Sequence, residues 1–198
     1  DTSLWSTFDP AGSLSIAEIG AGLKLTGTIG GDVQGVYQDV PSGDGWAIIT
    51  KVAWLNEQGN DLKAGLLLLE DVSSLSTSDV IYFAHYRGGA GTGFQVEEYS
   101  DYNSYTSGHV NFTSDKMKTL FYLRLRASGT TWYFDYSYDG IGWWNKWSMA
   151  RVFTPEGFGL AIKTNTADAV PIFGFFRYVG DPDGEAVREG DRIKYWSH

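Results

Sequence analysis

Hydrophobic and polar positions alternate in short stretches along most of this chain, and glycine punctuates them. The clearest stretch is 120–127, where Phe121, Leu123, Leu125 and Ala127 fall on one side and Tyr122, Arg124 and Arg126 on the other. Residues two apart share a face of a β-strand, so this segment reads as a strand with one buried and one open face. Segment 131–138 repeats the pattern, with Trp132, Phe134 and Tyr136 opposite Tyr133, Asp135 and Ser137. Gly129, in the turn between them, supplies a positive φ at little cost, which predicts a hairpin. Segments 46–55 and 64–70 are near-continuous apolar runs of strand length, as expected where both faces are covered. Strands are also predicted over 80–87, 94–99, 158–163 and 172–179, with another hairpin around the Gly-Ala-Gly turn inside 14–29. Nine or more short strands and no convincing helix predict an all-β fold, a two-sheet antiparallel β-sandwich.

Length and composition fit one such unit. The chain has 198 residues, 42% of them hydrophobic, with 25 glycines and only 5 prolines. The domain is expected over 1–179, followed by a charged extension over 180–198 that would serve as an added strand or assembly element, a route to a homo-oligomer or larger assembly. A formal net charge of −9 argues against nucleic acid and anionic membranes as partners. No apolar run approaches the ~18 residues of a spanning helix, which argues against membrane insertion. The absence of cysteine excludes disulfides, thiolate metal sites and a cysteine nucleophile, and suits an extracellular chain, secreted or on a virion surface. The run Gly88-Gly89-Ala90-Gly91-Thr92-Gly93 has the glycine content of a phosphate-cradling loop, but it leads into the strand-like FQVEEY rather than a helix. A hairpin loop is the reading it supports.

Aromatic residues are unusually frequent, at 16%, and the faces divide them. Phe121, Trp132, Phe134, Phe158 and Phe176 are expected inside. If strands 80–87, 94–99, 120–127 and 131–138 share one sheet, a single surface displays His85, Arg87, Gln95, Glu97, Tyr99, Tyr122, Arg124, Arg126, Tyr133 and Asp135. Planar hydrogen-bonding groups beside aromatic rings suit a sugar, whose hydroxyls need directional partners and whose C–H face packs on a ring. The same alternation also serves as a solvated face with cross-strand ion pairs, or as a protein interface. Trp144 and Trp147 are placed as rim aromatics whose exposure would favour binding, and Trp143 as a cap on one end of the core.

The stretch 121–144, FYLRLRASGTTWYFDYSYDGIGWW, resembles the concanavalin A-like jelly-roll domains appended to bacterial glycoside hydrolases of the β-xylosidase and arabinofuranosidase type. Tyr136, Ser137, Asp139, Gly140 and Trp143 match that pattern. Segments 4–10, 157–161 and 173–178 look like the opening and closing strands of the same domain. The resemblance implies a concanavalin A-like jelly roll over about 4–179, a fold that also serves lectins, laminin G-type modules and phage appendages. Glucanases of this fold carry paired carboxylates along one strand, whereas Glu97 and Glu98 point to opposite faces. Glu97 with Asp135 is the one remaining carboxylate pair, and a non-catalytic chain is expected. For a cofactor, Ca²⁺ is the metal best suited to the acidic turns, with Asp181, Asp183 and Glu185 as the leading ligands. Two functions follow: a non-catalytic carbohydrate-binding, lectin-like module with a glycan or polysaccharide as partner, or a structural or adhesion module of a phage virion or bacterial surface assembly.

Overall fold

The computed structural model describes residues 2–20, 22–27, 32–41, 45–56, 62–88, 91–114, 120–164 and 170–180, with the backbone alone at 55–56, 87–88, 91 and 110–114. These residues form two seven-stranded antiparallel sheets. Sheet A runs in the order β1 (Ser6–Phe8), β4 (Gln34–Asp39), β13 (Gly157–Lys163), β6 (Leu62–Leu69), β7 (Val80–Gly88), β8 (Gly91–Tyr99) and β9 (Tyr105–Ser114). Sheet B runs in the order β12 (Trp144–Ala150), β11 (Thr131–Ser137), β10 (Leu120–Ser128), β5 (Trp46–Asn56), β14 (Val170–Gly180), β3 (Gly22–Thr26) and β2 (Ser15–Ile19). The all-β sandwich expected from the alternation is the fold of this chain.

The main core fills the space between the sheets. Phe121, Leu123, Leu125 and Ala127 of β10 are fully buried, as are Trp132 and Phe134 of β11. They meet Ile81, Phe83, Phe94 and Val96 of sheet A in one cluster. All five rings assigned to the interior lie there, including Phe158 and Phe176. Large rings suit this position because two packed sheets stand ~10 Å apart. The β10–β11 hairpin closes at Ser128 and Thr131, and Gly129 adopts φ +53°. β7 and β8 pair down to Gly88 and Gly91, so the glycine run joins two strands of one hairpin.

A second, smaller cluster lies on the outer side of sheet A, formed by Phe8, Tyr37, Leu67, Leu69, Tyr82 and their neighbours and packed against Val72, Leu75 and Tyr102. The connections 70–79 and 100–104 therefore cover much of that face, and β6 is apolar from Ala64 to Leu69 because both its sides are buried there.

The expectation of one mixed surface is corrected by the strand order. β7 and β8 belong to sheet A while β10 and β11 belong to sheet B. The face of β7 is corrected too: Ile81, Phe83 and His85 point into the sandwich, and the alternate residues Tyr82 and Ala84 point outward. The acidic turn Asp181, Asp183 and Glu185, and the extension beyond Gly180, lie outside the described residues.

Candidate functional site

The outer face of sheet B holds five of the sequence-selected residues together. On β10, Arg124 and Arg126 lie directly opposite Asp135 and Tyr133 of β11. Both guanidinium Nε groups donate to the same carboxylate oxygen, Asp135 Oδ2, at 2.9 Å from Arg124 and 2.7 Å from Arg126. Asn145 Nδ2 donates to the other oxygen, Oδ1, at 2.9 Å. Asp135 is 1% exposed, so the arginines themselves shield it. Each guanidinium also lies over a ring: Arg126 over Tyr133 at 4.5 Å and Arg124 over Trp143 at 4.4 Å. Trp143 thus faces outward against Arg124, correcting its expected place as a core cap.

The turn between β11 and β12 fixes Trp143. Asp139 Oδ1 accepts from the backbone amides of Ile141 and Gly142 and from Ser137 Oγ. These donors favour the ionised carboxylate and hold its pKa below the ordinary value, with the Ile141 amide the largest cause. Gly140 sits at φ +77°, and a Cβ there would press on the Tyr122 ring at 3.0 Å, so the turn packs on Tyr122 as well as releasing the chain toward Trp143. Replacing Gly140 by alanine is expected to cost about 1–3 kcal/mol, read from the urea midpoint, because strain and the Tyr122 contact act together.

Beside the arginines lies an open hollow of about 470 Å³ on the same face, lined by Lys51, Ala53, Tyr122, Ile172, Gly174 and Phe175 among others. It forms where β10, β5 and β14 run side by side. β14 bulges between Phe173 and Phe176, which turns Phe175 outward to within 6.0 Å of the Tyr122 ring. Lys51 projects between the buried Thr50 and Val52, with its ammonium 5.8 Å from the centre of the Tyr122 ring. Lys51, Phe175, Trp143 and Asn145 are site residues that the alternation of β10 and β11 alone does not reveal. A lysine inside the otherwise apolar run 46–55 was the available signal that this strand has an open side.

The other selected residues lie elsewhere. His85 is 1% exposed and accepts a hydrogen bond at Nδ1 from Trp54 Nε1, at 2.7 Å, in contact with Phe94 and Phe121. It is a core residue rather than a surface ligand. Arg87 lies near the end of β7, described by its backbone alone. Gln95, Glu97 and Tyr99 point to the outer side of sheet A, where Glu97 is buried between Lys63 Nζ at 2.6 Å and Tyr99 OH at 2.5 Å. Tyr99 is 2% exposed and also accepts from Lys163 Nζ at 2.8 Å, so this ring is structural rather than open.

Burial, followed by the nearby Glu97 carboxylate, pushes the Tyr99 phenol well above 10. Burial does the same for Tyr82, whose hydroxyl donates to the Ala161 carbonyl. A raised acid pKa in the fold gives stability that is complete below the unfolded value near 10 and is lost as pH rises above it. Unfolding free energy is therefore expected to fall by about 1.4 kcal/mol per pH unit for each of the two tyrosines above pH 10. Urea midpoints at pH 9, 10 and 11 check this, and a Tyr99→Phe variant with an unchanged slope would contradict it.

Trp144 and Trp147 lie on the edge strand β12 and are 49% and 38% exposed, meeting the condition set for rim aromatics. Trp144 stacks on Tyr136 at 5.6 Å, and Trp147 stacks on His109 of β9 at 6.2 Å. Glu98 Oε1 lies 2.7 Å from His109 Nε2, and Ser107 Oγ approaches that same nitrogen at 3.2 Å. A Ser-His-acid relay needs the two ring nitrogens to serve different partners, so this cluster lacks that geometry.

Glu97 and Asp135 lie on the outer sides of different sheets, each clasped by cations, so they do not form the facing carboxylate pair of a glycosidase. Among the described residues, no group of three or more His, Asp or Glu side chains is arranged to hold a metal ion. No helix among them is long and apolar enough to cross a membrane.

No family model matches the chain, and no curated protein matches it in sequence. Solved structures do. A functionally unknown protein from Saccharomyces cerevisiae superposes with a TM-score of 0.63 at 11% identity, over 91% of this chain and 98% of that one. Xylan beta-1,4-xylosidase from Bacillus halodurans superposes with a TM-score of 0.63 at 16% identity, over 84% of this chain but 34% of the xylosidase. The exoplasmic/lumenal domain of VIP36, in a Ca²⁺/Man-bound form, superposes with a TM-score of 0.58 at 10% identity, over 96% of this chain and 88% of that one. At these identities the likeness establishes the fold alone: a concanavalin A-like sandwich, shared by the VIP36 domain and by part of the xylosidase.

Proposed function

We propose that this chain is a non-catalytic, lectin-like carbohydrate-binding module that works outside the cell, and that glycan lies along the outer face of sheet B. The observation carrying this reading is the open hollow walled by Tyr122 and Phe175, on the same face of β10 as the ring-backed Arg124 and Arg126. A sugar ring placed there packs its C–H face on an aromatic wall, while the guanidinium edges and Lys51 serve its hydroxyls. The volume falls within the ~300–1,000 Å³ usual for ligand clefts. Tyr133 and Asp135 act with them, Asp135 by fixing both arginines. The bound mannose named for the VIP36 domain, and the xylan named for the xylosidase, make polysaccharides of both kinds reasonable first ligands.

Affinity electrophoresis through gels containing mannan or xylan tests the reading. Tyr122→Ala and Phe175→Ala are each expected to weaken retention about tenfold, the equivalent of ~1.4 kcal/mol, with an unchanged circular dichroism spectrum. Retention that survives both changes would place the glycan elsewhere.

A further inference from the structure

We infer that the glycan taken by this face is acidic, a polymer bearing uronate carboxylates, an inference that rests on the reading of sheet B as the glycan surface. The chain as a whole carries 24 acidic and 15 basic residues, yet the strands of sheet B reverse the balance. They hold six cations, Lys24, Lys51, Arg124, Arg126, Lys146 and Arg177, against two carboxylates, Glu18 and Asp135. Glu18 sits on the edge strand and accepts from the Thr2 amide. Asp135 is buried beneath its arginines. Glu18 is exposed but stands opposite the core residue Leu23, on the other side of the sheet from Lys24, so on the outer face the cations of these strands are what a ligand meets.

Three of those cations, Lys24, Lys51 and Arg177, have no carboxylate partner among the described residues, and Arg177 Nε finds no hydrogen-bond acceptor there. The register places them around the hollow. Lys51 lines it, Lys24 pairs with Ile172 of its floor, and Arg177 pairs with Ile49, two residues along β5 from Lys51. Lys51 and Arg177 are therefore diagonal neighbours, roughly 7–8 Å apart at the backbone, and Lys24 stands two strands across and two residues along from Lys51, roughly 12 Å away. Single charges at such intervals suit a ligand with one carboxylate per sugar better than one with several charges on each unit. Tyr122 and Phe175 supply the apolar wall that a sugar needs and a bare polyanion does not.

Calorimetry on the full chain with hexagalacturonate and xylohexaose, at 50 and 300 mM NaCl, tests the inference. Hexagalacturonate is expected to bind at least tenfold more tightly at low salt, with the advantage shrinking at high salt as screening grows. Lys51→Gln is expected to lower hexagalacturonate affinity at least fivefold. If that variant does not fold, the Lys24→Gln, Arg177→Gln double variant is expected to show the same loss. Xylohexaose binding as tightly as the acidic oligomer overturns this inference and leaves the glycan reading standing, whereas binding of neither overturns both. Equal or tighter binding of polyphosphate, duplex DNA or a sulfated oligosaccharide also overturns the choice of a uronate polymer.

Discussion

Replacing Asp135 by alanine is expected to lower the unfolding free energy by about 2–4 kcal/mol and to abolish binding on the outer face of sheet B. The carboxylate is buried, one of its oxygens accepts from both arginines, and the other accepts from Asn145. Alanine removes three hydrogen bonds and leaves Arg124 and Arg126 as adjacent like charges on one strand. Loss of a partner from a fully buried ion pair costs about 3–5 kcal/mol. Here the arginine side chains keep 21% and 17% of their exposure, so water relieves part of the repulsion and the cost falls below that range. For a domain of this size the matching fall in Tm is roughly 6–12 °C. Asp135→Asn keeps the shape but not the charge and is expected to fall between wild type and alanine. A double-mutant cycle with Arg126→Gln should show coupling, since Asp135→Ala costs less once one guanidinium is gone. A loss below 1 kcal/mol in urea titrations would show that the arginines, not the carboxylate, organise this face.

β10 and β11 were legible in the sequence because one side of each is buried and the other open, so polarity alternates cleanly. That contrast is what failed at β7. Both of its sides are covered, by the sandwich core on one and the 70–79 connection on the other, so Ile81 and Tyr82 carry no polarity signal to separate them. The polar character of His85 then suggests an open face, although inside the sandwich it accepts a hydrogen bond from Trp54 and packs on Phe94 and Phe121. Sheet membership was also illegible, because alternation fixes which residues share a side of a strand but not which strands pair. β12 escaped for a local reason: its pairing with β11 shifts between Phe134 and Asp135, which places Trp144 and Trp147 on one side and Asn145 on the other. The hollow depends on three strands distant in sequence and on a bulge in β14, so only its Tyr122 wall was visible in advance.

The largest single-residue effect on the fold is expected at Gly159, in the middle of sheet A. β13 is hydrogen-bonded on both sides, to β4 and to β6, and Gly159 faces Tyr37 on one and Leu67 on the other. A Cβ at this position would overlap the Val36 carbonyl oxygen and stand 2.8 Å from Tyr37 Cα. Neither atom belongs to a side chain that can rotate away, so β4 and β13 would have to separate. The adjoining row Gly35, Ala161, Gly65 and Ala84 crosses four strands and is equally small. Over it Tyr82 reaches from β7 past β6 to donate to the Ala161 carbonyl at 3.1 Å. Forcing the strands apart at Gly159 would disturb that bond and the packing of the second core. Gly159→Ala is therefore expected to cost at least about 3 kcal/mol, at the upper end of overpacking changes. Gly174→Ala is the control, since its Cβ would meet the flexible Lys51 side chain at 3.3 Å, and its cost is expected to stay below about 1 kcal/mol. Urea unfolding of the two variants side by side decides the matter, and equal losses would mean that backbone approach at Gly159 is not what holds β4 against β13.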